Sequence, residues 1–130
     1  MVEYQIGEKH STQRRITNED ILKFAELSGD KNPIHLDEEY ARATRFRRRI
    51  AHGFLYSSLF SALFGMNYTG SVYMEQTLKF LKPVFVEDEI LAEIELLTLR
   101  TDRPIATFRT TIRNAEGKTI VEGQATLLLE

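Results

Sequence analysis

The chain has 130 residues, the length of one compact domain, which we expect to span residues 1–130. Its composition, 42% hydrophobic and 28% charged with a net charge of −2, is typical of a globular protein and gives no electrostatic sign of nucleic-acid binding. The absence of cysteine excludes disulfides, thiolate catalysis and cysteine-ligated metal centres. The segment MVEYQIGEKH lacks the apolar core of a signal peptide, and no apolar run is long enough to span a membrane, so we expect a cytoplasmic protein.

The first half of the chain has the pattern of short helices joined by ordered loops. Thr17 is a good N-cap for a helix that we expect to end at Gly29, a residue suited to a left-handed cap. Residues 30–36 contain asparagine and proline, which are typical of an ordered loop, and Asp37 is placed to cap a further short helix. Residues 53–65 are polar on no side and predict a buried helix about 20 Å long.

The second half of the chain has the pattern of strands. Residues 89–96 alternate between apolar and charged side chains, which is typical of a strand with one buried face. An α+β fold follows, in which an antiparallel sheet wraps over the long apolar helix, although periodicity alone does not single it out among α+β folds. Further strands are predicted at residues 2–6, 9–16, 71–84, 103–113 and 118–129.

Residues 30–35, Asp-Lys-Asn-Pro-Ile-His, place a carboxylate and an imidazole on either side of a proline. Their spacing does not put both on one helix face, but a folded loop can bring Asp30 and His35 together around one water molecule. Pro33 and Asn32 make such a loop stiffer. On composition alone, the plainer interpretation is a turn capped by Asp30 beside a partly buried His35.

The pair His52-Gly53 stands where the apolar helix is predicted to begin. Backbone N–H groups in the first turn of a helix lack intrahelical acceptors, and the helix dipole adds positive potential there. Because glycine has no side chain, a ligand oxygen can approach the N–H of Gly53 closely, as in an oxyanion hole. The plainer interpretation is a helix start that happens to contain glycine.

Three segments together resemble one protein family. Residues 24–35, FAELSGDKNPIH, are similar to the signature of the MaoC-like (R)-specific enoyl-CoA hydratases: an aromatic residue, a small spacer, Ser-Gly-Asp, any residue, Asn-Pro, an aliphatic residue and His. Residues 50–54 resemble the family's second segment, an aliphatic pair followed by His-Gly. Residues 79–85, followed by Asp88, resemble the strand and turn that close the family's pocket. The resemblance covers nearly the whole chain in order.

The resemblance implies a hot-dog fold, a homodimer and reversible hydration of trans-2-enoyl-CoA to (R)-3-hydroxyacyl-CoA. It implies that Asp30 and His35 hold the catalytic water, with Asp30 as the base and His35 as the proton donor toward C2. It also implies that the N–H of Gly53 binds the thioester oxygen, and we expect Asn32 to contact the substrate. Neither a metal nor a redox cofactor is expected.

Five arginines lie between positions 42 and 49. Because arginine binds phosphate through bidentate, charge-assisted hydrogen bonds, Arg47 and Arg48 are candidates for contact with the phosphates of CoA or with an acidic acyl carrier protein. A solvated charged face explains the run equally well. Members of the family often have proline where Arg49 stands.

Four residues are spaced to share one face of the apolar helix. Phe54, Ser57, Ser61 and Phe64 are candidates for lining a tunnel that holds the acyl chain. Ordinary core packing is the alternative, above all for Phe54. Ser61 fits a small packing residue better than a nucleophile, because no general base has helical spacing to it.

Several functions fit this pattern. The leading hypothesis is an (R)-specific enoyl-CoA hydratase, which works in β-oxidation or supplies monomers for polyester (polyhydroxyalkanoate) synthesis. The alternatives are a 3-hydroxyacyl-[acyl carrier protein] dehydratase, which runs the reverse reaction, and a non-catalytic acyl-CoA-binding protein. The intact pair of Asp30 and His35 argues against the non-catalytic protein, and hot-dog thioesterases do not use this loop.

Overall fold

The computed structural model describes residues 3–130. Every strand pairing is antiparallel and belongs to one sheet in the order β1-β4-β5-β6-β2, with β3 also paired to β6. This confirms the expected α+β architecture of an antiparallel sheet around one long helix. In chain order the elements are β1 (Lys9–Arg15), α1 (Asn18–Ser28), α2 (Pro33–Leu36), α3 (Glu38–Arg42), α4 (Gly53–Asn67), β2 (Val72–Gln76), β3 (Lys79–Phe80), β4 (Glu89–Leu99), β5 (Ile105–Asn114) and β6 (Thr119–Leu128).

Local capping sets both ends of α1. The hydroxyl of Thr17 accepts a hydrogen bond from the backbone N–H of Asp20, whose carboxylate in turn accepts one from the N–H of Thr17. This reciprocal capping box satisfies donors that the first helical turn leaves free. Gly29 ends the helix with φ 81°, a left-handed conformation that favours glycine. Both predicted caps are confirmed, and the chain therefore leaves α1 directly into Asp30.

The segment that follows α1 contains a short helix, α2, where the sequence predicted a loop. The side-chain oxygen of Asn32 accepts a hydrogen bond from the N–H of Ile34, and Pro33 occupies the first helical position. Proline is well suited there because the first turn has no acceptor for its missing N–H. The prediction of a loop was therefore wrong for residues 33–36. The predicted cap of α3 by Asp37 is confirmed, since its carboxylate accepts from the N–H of Tyr40.

The hydrophobic core lies between α4 and the sheet. The alternating residues of β4 that were predicted to face inward are all buried, and so are their counterparts on β5 and β6. From α4, Phe60, Leu63 and Phe64 are each at most 2% exposed and belong to the same cluster. Because apolar burial is the main favourable term in folding, this contact fixes where α4 lies.

The predicted strand at residues 71–84 is wrong as a single element. A bulge between Tyr73 and Glu75 shifts its register against β6, and β2 ends at Gln76. The chain then crosses Gly123 so closely that the carbonyl of Thr77 occupies the space a Cβ atom would need. Only Lys79–Phe80 pairs again before Pro83, which has no N–H to donate. Of the strand predicted at residues 2–6, residues 3–6 are not extended strand and Val2 lies outside the described residues.

Helix α4 is not buried on every side, as the sequence had suggested. It ends at Asn67 rather than Gly65, and one face is open: Phe54 is 68% exposed and Met66 66% exposed, with Ser61 also on the surface. Among residues 3–130, nothing covers the apolar side chains of this face. Even so, no helix within residues 3–130 combines the length and the apolar character needed to cross a membrane.

Replacing Gly123 should destabilise the fold strongly. In Gly123→Ala the new methyl group would overlap the Thr77 carbonyl, so the segment that follows β2 would have to move away from β6. Forced overpacking of this kind typically costs about 1–3 kcal/mol. Urea unfolding followed by circular dichroism measures the loss. Gln124→Ala, an exposed neighbour on the same strand, is the control and should unfold as the wild type does. Equal midpoints for both variants would contradict this account.

Candidate active site

The predicted catalytic pair meets where α1 ends, α2 lies and α4 begins. A carboxylate oxygen of Asp30 and one ring nitrogen each of His35 and His52 lie within 4.8 Å of one another. The folded loop therefore brings together residues whose spacing in sequence would separate them on a helix. His52 joins them as a third titratable group.

His35 is held in one orientation by a backbone carbonyl. Its Nδ1 lies 2.7 Å from the carbonyl oxygen of Ile50. Since a carbonyl oxygen can only accept, Nδ1 carries the proton and Nε2 of the neutral ring carries a lone pair. Burial lowers the pKa of His35, and its bond to Ile50 opposes this; nearby His52 and Arg49 lower the pKa further, whereas Asp30 raises it. The balance favours a neutral imidazole near pH 7.

His52 supports both members of the pair, a role that the sequence analysis missed. It is 2% exposed, and its ring stacks on that of His35 with the centroids 3.9 Å apart. Phe24 packs against His52 at 4.8 Å. Nε2 of His52 donates to the backbone carbonyl of Asp30 at 3.0 Å and so holds the loop at its first residue. The only sequence signal for this contact was the His-Gly motif itself.

Asp30 keeps its carboxylate at the surface of the site. The side chain is exposed, and one of its oxygens accepts a hydrogen bond from the backbone N–H of Asn32 at 3.2 Å. The amide oxygen of Asn32 is used to cap α2. Asn32 thus shapes the loop, and its predicted contact with substrate stays a prediction.

The three titratable groups are close enough together for a metal ion. However, Nδ1 of His35 and Nε2 of His52 are both engaged by carbonyl oxygens. The nitrogen of His35 that remains is the one needed for acid–base chemistry. The arrangement therefore suits proton transfer better than ligation, and the expectation that no metal or other cofactor is needed stays a prediction.

Gly53 and His35 share a cleft of about 510 Å³. Gly53 is the first residue of α4, so its N–H has no intrahelical acceptor and lies at the positive end of the helix dipole. A Cβ atom at this position would lie 2.5 Å from Cε1 of Phe80, so any larger residue would require that ring to move. The wall formed by residues 80–83 belongs to the segment that the sequence resemblance assigned to closing the pocket.

A second cleft, of about 370 Å³, continues along α4. Phe54 borders both clefts, and the second is also lined by Ser57 and Ser61. Phe64 lies behind them in the core, with its ring 4.8 Å from that of Phe108 and 5.3 Å from that of Tyr73. Three of the four predicted tunnel residues therefore line open space, whereas Phe64 packs beneath it.

Two basic residues that the sequence analysis did not select lie at the cleft. Arg45 and Lys82 line it together with His35 and Gly53. The guanidinium of Arg48 lies 3.8 Å from the centre of the Phe85 ring, beside a different cleft. Arg47 is exposed and has φ 67°. The arginine run was considered functional because it lies close to Gly53 in the sequence. That proximity did not show which of the arginines face the cleft.

We expect His35 to titrate below its ordinary pKa of 6.5. Because the folded-state pKa is lowered, the stability from this residue is fully present above pH 6.5 and is lost as the pH falls through the folded-state pKa. An NMR titration of the His35 ring measures the midpoint, and urea unfolding across the same range measures the stability. His35→Gln should weaken this pH dependence. A midpoint at or above 6.5 would contradict the neutral ring described above.

Comparison with known proteins gives consistent matches. The family described as the MaoC like domain matches residues 2–123. The chain is 44% identical over 127 residues to the (R)-specific enoyl-CoA hydratase of Aeromonas caviae, covering 96% of this chain and 95% of that protein. It is 36% identical over 128 residues to the mitochondrial 3-hydroxyacyl-[acyl-carrier-protein] dehydratase of Arabidopsis thaliana, with 96% and 77% covered. The solved structure of the A. caviae (R)-hydratase involved in PHA biosynthesis has a TM-score of 0.95 and 43% identity over 98% of both chains. The expected hot-dog fold is confirmed.

Proposed function

The chain belongs to the MaoC-like family, and we propose that it is an (R)-specific enoyl-CoA hydratase, a hydro-lyase that reversibly converts trans-2-enoyl-CoA to (R)-3-hydroxyacyl-CoA. The observation that carries this proposal is that His35 lies beside the carboxylate of Asp30 and also lines the cleft that begins at Gly53. Its similarity to the A. caviae hydratase over nearly the full length of both proteins supports the same substrate class. Action in the cytoplasm, in β-oxidation or in polyester precursor supply, stays a prediction.

The hydrogen bonds of the site support a specific route for the proton. Water held between the carboxylate of Asp30 and Nε2 of His35 adds its hydroxide to C3 of the substrate. Because the resting His35 ring is neutral, it can deliver a proton to C2 only after taking that proton from the same water. One water is thus added across the double bond and the enzyme returns to its starting state. Asp30 orients the water in this scheme, whereas the sequence resemblance made it the base.

The start of α4 supplies the electrostatic part of catalysis. As hydroxide adds at C3, negative charge develops on the thioester oxygen. The N–H of Gly53 is free to donate to that oxygen, and the helix dipole adds to its effect. The acyl chain then extends past Phe54 into the second cleft, where Ser57 and Ser61 leave room for it and Phe64 forms part of the packing beneath.

Removing either member of the pair should abolish hydration without unfolding the protein. His35→Gln should lower kcat for crotonyl-CoA at least about 100-fold, since acid–base catalysis contributes about 10²–10⁴-fold. Asp30→Asn should lower kcat to a similar degree, because it removes the charge that orients the water and a misplaced reactant can cost about 10²-fold. Loss of the enoyl-thioester absorbance measures the rate, and chiral chromatography should show an (R) product from the wild type. Asp102→Asn and His10→Gln, both outside the site, are the matched controls. A folded Asp30 or His35 variant that keeps a tenth of wild-type kcat would contradict the proposed catalytic pair. A mainly (S) product would contradict the proposed (R)-specific hydratase.

The same cleft would also bind the carrier of the acyl group, either CoA or an acyl carrier protein. The matched A. thaliana protein is named for an acyl-carrier-protein substrate, so a 3-hydroxyacyl-[acyl carrier protein] dehydratase remains the second candidate function. Both carriers present phosphate on the arm that enters the site. Arg45 and Lys82 are placed to meet that phosphate at the cleft, and the exposed Arg47 and Arg48 are proposed to meet more distant charges of the carrier.

Neutralising the cleft residues should weaken substrate binding and spare the chemistry. Arg45→Ala/Lys82→Ala should raise KM for crotonyl-CoA about three- to tenfold at low salt, because exposed ion pairs are worth little individually and are screened by ions. The value of kcat should change less than twofold, since this binding is equal in ground and transition states. Arg47→Ala/Arg48→Ala should raise KM less, and Lys9→Ala/Arg103→Ala is the control. If KM is unchanged in both test variants, the arginine run is a solvated charged face that does not bind the carrier.

The open face of α4 and the edge of the sheet support the proposed homodimer. Strand β2 ends the sheet order, so within the described residues its outer edge is unpaired. Val72 and Met74 on that strand are 56% and 57% exposed, and Phe54 and Met66 lie exposed on α4. An unpaired apolar edge of this kind pairs readily with a second chain, and a twofold axis lets two copies bury the same patch.

A charge on the β2 edge should therefore produce monomers. Val72→Lys places a positive charge on the edge, where a twofold axis would bring it near its own copy. Light scattering after gel filtration should give twice the chain mass for the wild type and the single chain mass for the variant. Ser11→Lys, on the opposite edge strand β1, should leave the mass unchanged. A wild type that is monomeric at micromolar concentration would contradict the homodimer.

A further inference from the structure

The segment formed by residues 49–52 holds residues 30–36, the proposed catalytic loop, in place through backbone and side-chain hydrogen bonds. Ile50 donates its N–H to the carbonyl of Ile34 at 3.3 Å and accepts Nδ1–H of His35 at 2.7 Å. His52 reaches back to the carbonyl of Asp30 at 3.0 Å. A fourth contact, from Arg49, differs from these because it extends beyond the loop to a separate helix.

Arg49 joins two elements through one planar side chain. Its Nε donates to the backbone carbonyl of His35 at 2.6 Å, and a terminal nitrogen donates to Oδ1 of Asn18 at 2.7 Å. Asn18 is the first residue of α1, whose start is fixed by the capping box at Thr17. The half-buried guanidinium therefore ties the residue that carries the imidazole to a rigid helix end.

The backbone carbonyl of His35, which accepts from Arg49, has few other hydrogen-bond donors nearby. Helix α2 is only four residues long, and His35 stands in its last turn, where carbonyl groups lack intrahelical donors. A hydrogen bond from a charged donor is roughly twice as strong as one between neutral groups. Arg49 also does not line the cleft that holds His35 and Gly53, so its geometry does not suggest direct contact with substrate.

We propose that Arg49 is a positioning residue for the hydratase site, because it fixes the backbone of His35 against the start of α1. The inference rests on the proposed function for its kinetic part only. Positioning acts on the reacting geometry, and small displacements of a catalytic group cost rate rather than affinity. The guanidinium has a second effect on the imidazole: its positive charge disfavours the protonated ring.

The charge of Arg49 affects the pKa of His35, and a residue with a purely structural role would not change that pKa. The groups that act on the pKa of His35 are Asp30, which raises it, and His52 and Arg49, which lower it, in addition to burial and the bond to Ile50. Loss of the Arg49 charge should therefore raise the His35 midpoint. The acid limb of the pH profile of kcat/KM should move to higher pH with it, because that profile reports the free enzyme.

The test compares Arg49→Met, Arg49→Lys and Asn18→Ala in the full chain, with Arg103→Met as an exposed control. In Arg49→Met we expect kcat to fall at least about tenfold, the size expected from losing a hydrogen bond to a charged group. KM should change less than twofold, and the His35 midpoint from NMR should rise. Arg49→Lys keeps the charge but cannot hold both acceptors in one plane, so kcat should fall without a rise in the midpoint.

A smaller loss of kcat in Arg49→Met would overturn the proposal, and so would a loss of kcat with an unmoved His35 midpoint. If Arg49→Met does not fold, Asn18→Ala decides, since it removes only the far end of the connection; wild-type kcat in that variant would overturn the proposal, and a lower kcat with unchanged KM would support it. If the wild type hydrates no enoyl-CoA, the proposed function fails, whereas the NMR titrations of the same variants still test the action of Arg49 on His35.

Discussion

The packing of α4 against the sheet is the contact on which the rest of the structure depends. Phe60, Leu63 and Phe64 are buried against strands β4 to β6, and dense apolar packing of this kind leaves the helix one position along its axis. The first residue of the helix, Gly53, is thereby placed where residues 79–85 cross it. The ring of Phe80 lies against the glycine, and both residues line the cleft that also contains His35.

The catalytic loop acquires its shape locally and its position from α4. Side-chain caps at Asn32 and Asp37 and the left-handed Gly29 are contacts between near neighbours in sequence, and they set the local turns of the loop. The residues just before α4 then donate hydrogen bonds to free backbone carbonyls of the loop. His52 bonds to the carbonyl of Asp30, and Arg49 bonds to the carbonyl of His35. Since a buried imidazole avoids a charge and its Nδ1 is bound to a carbonyl, Nε2 is left as the acceptor that proton transfer requires.

The site divides into parts that match the chemistry of a thioester substrate. Arg45 and Lys82, the imidazole of His35 and the helix start at Gly53 all line the first cleft. The second cleft continues beside serines and an aromatic ring. The second cleft lies between α4 and the edge strand β2, the part of the surface where the chain leaves apolar residues exposed. Binding of the acyl chain and pairing with a second copy would thus involve neighbouring surfaces of the same helix.

The sequence by itself determined what depends on short-range chemistry. The caps at Thr17, Gly29 and Asp37 and the alternating strands from β4 onward were recognisable, because each depends on residue type at a fixed spacing. The proposed catalytic residues Asp30, His35 and Gly53 were selected through the resemblance to a family, since their spacing alone also fits an ordinary turn and helix start. The tertiary structure alone decided the break in the strand predicted at residues 71–84, the open face of α4, and which basic residues meet the cleft. It also revealed that His52 and Arg49 hold the catalytic loop. These features arise between groups far apart in the chain, such as Thr77 with Gly123 or Arg49 with Asn18, and local propensity carries no record of such contacts.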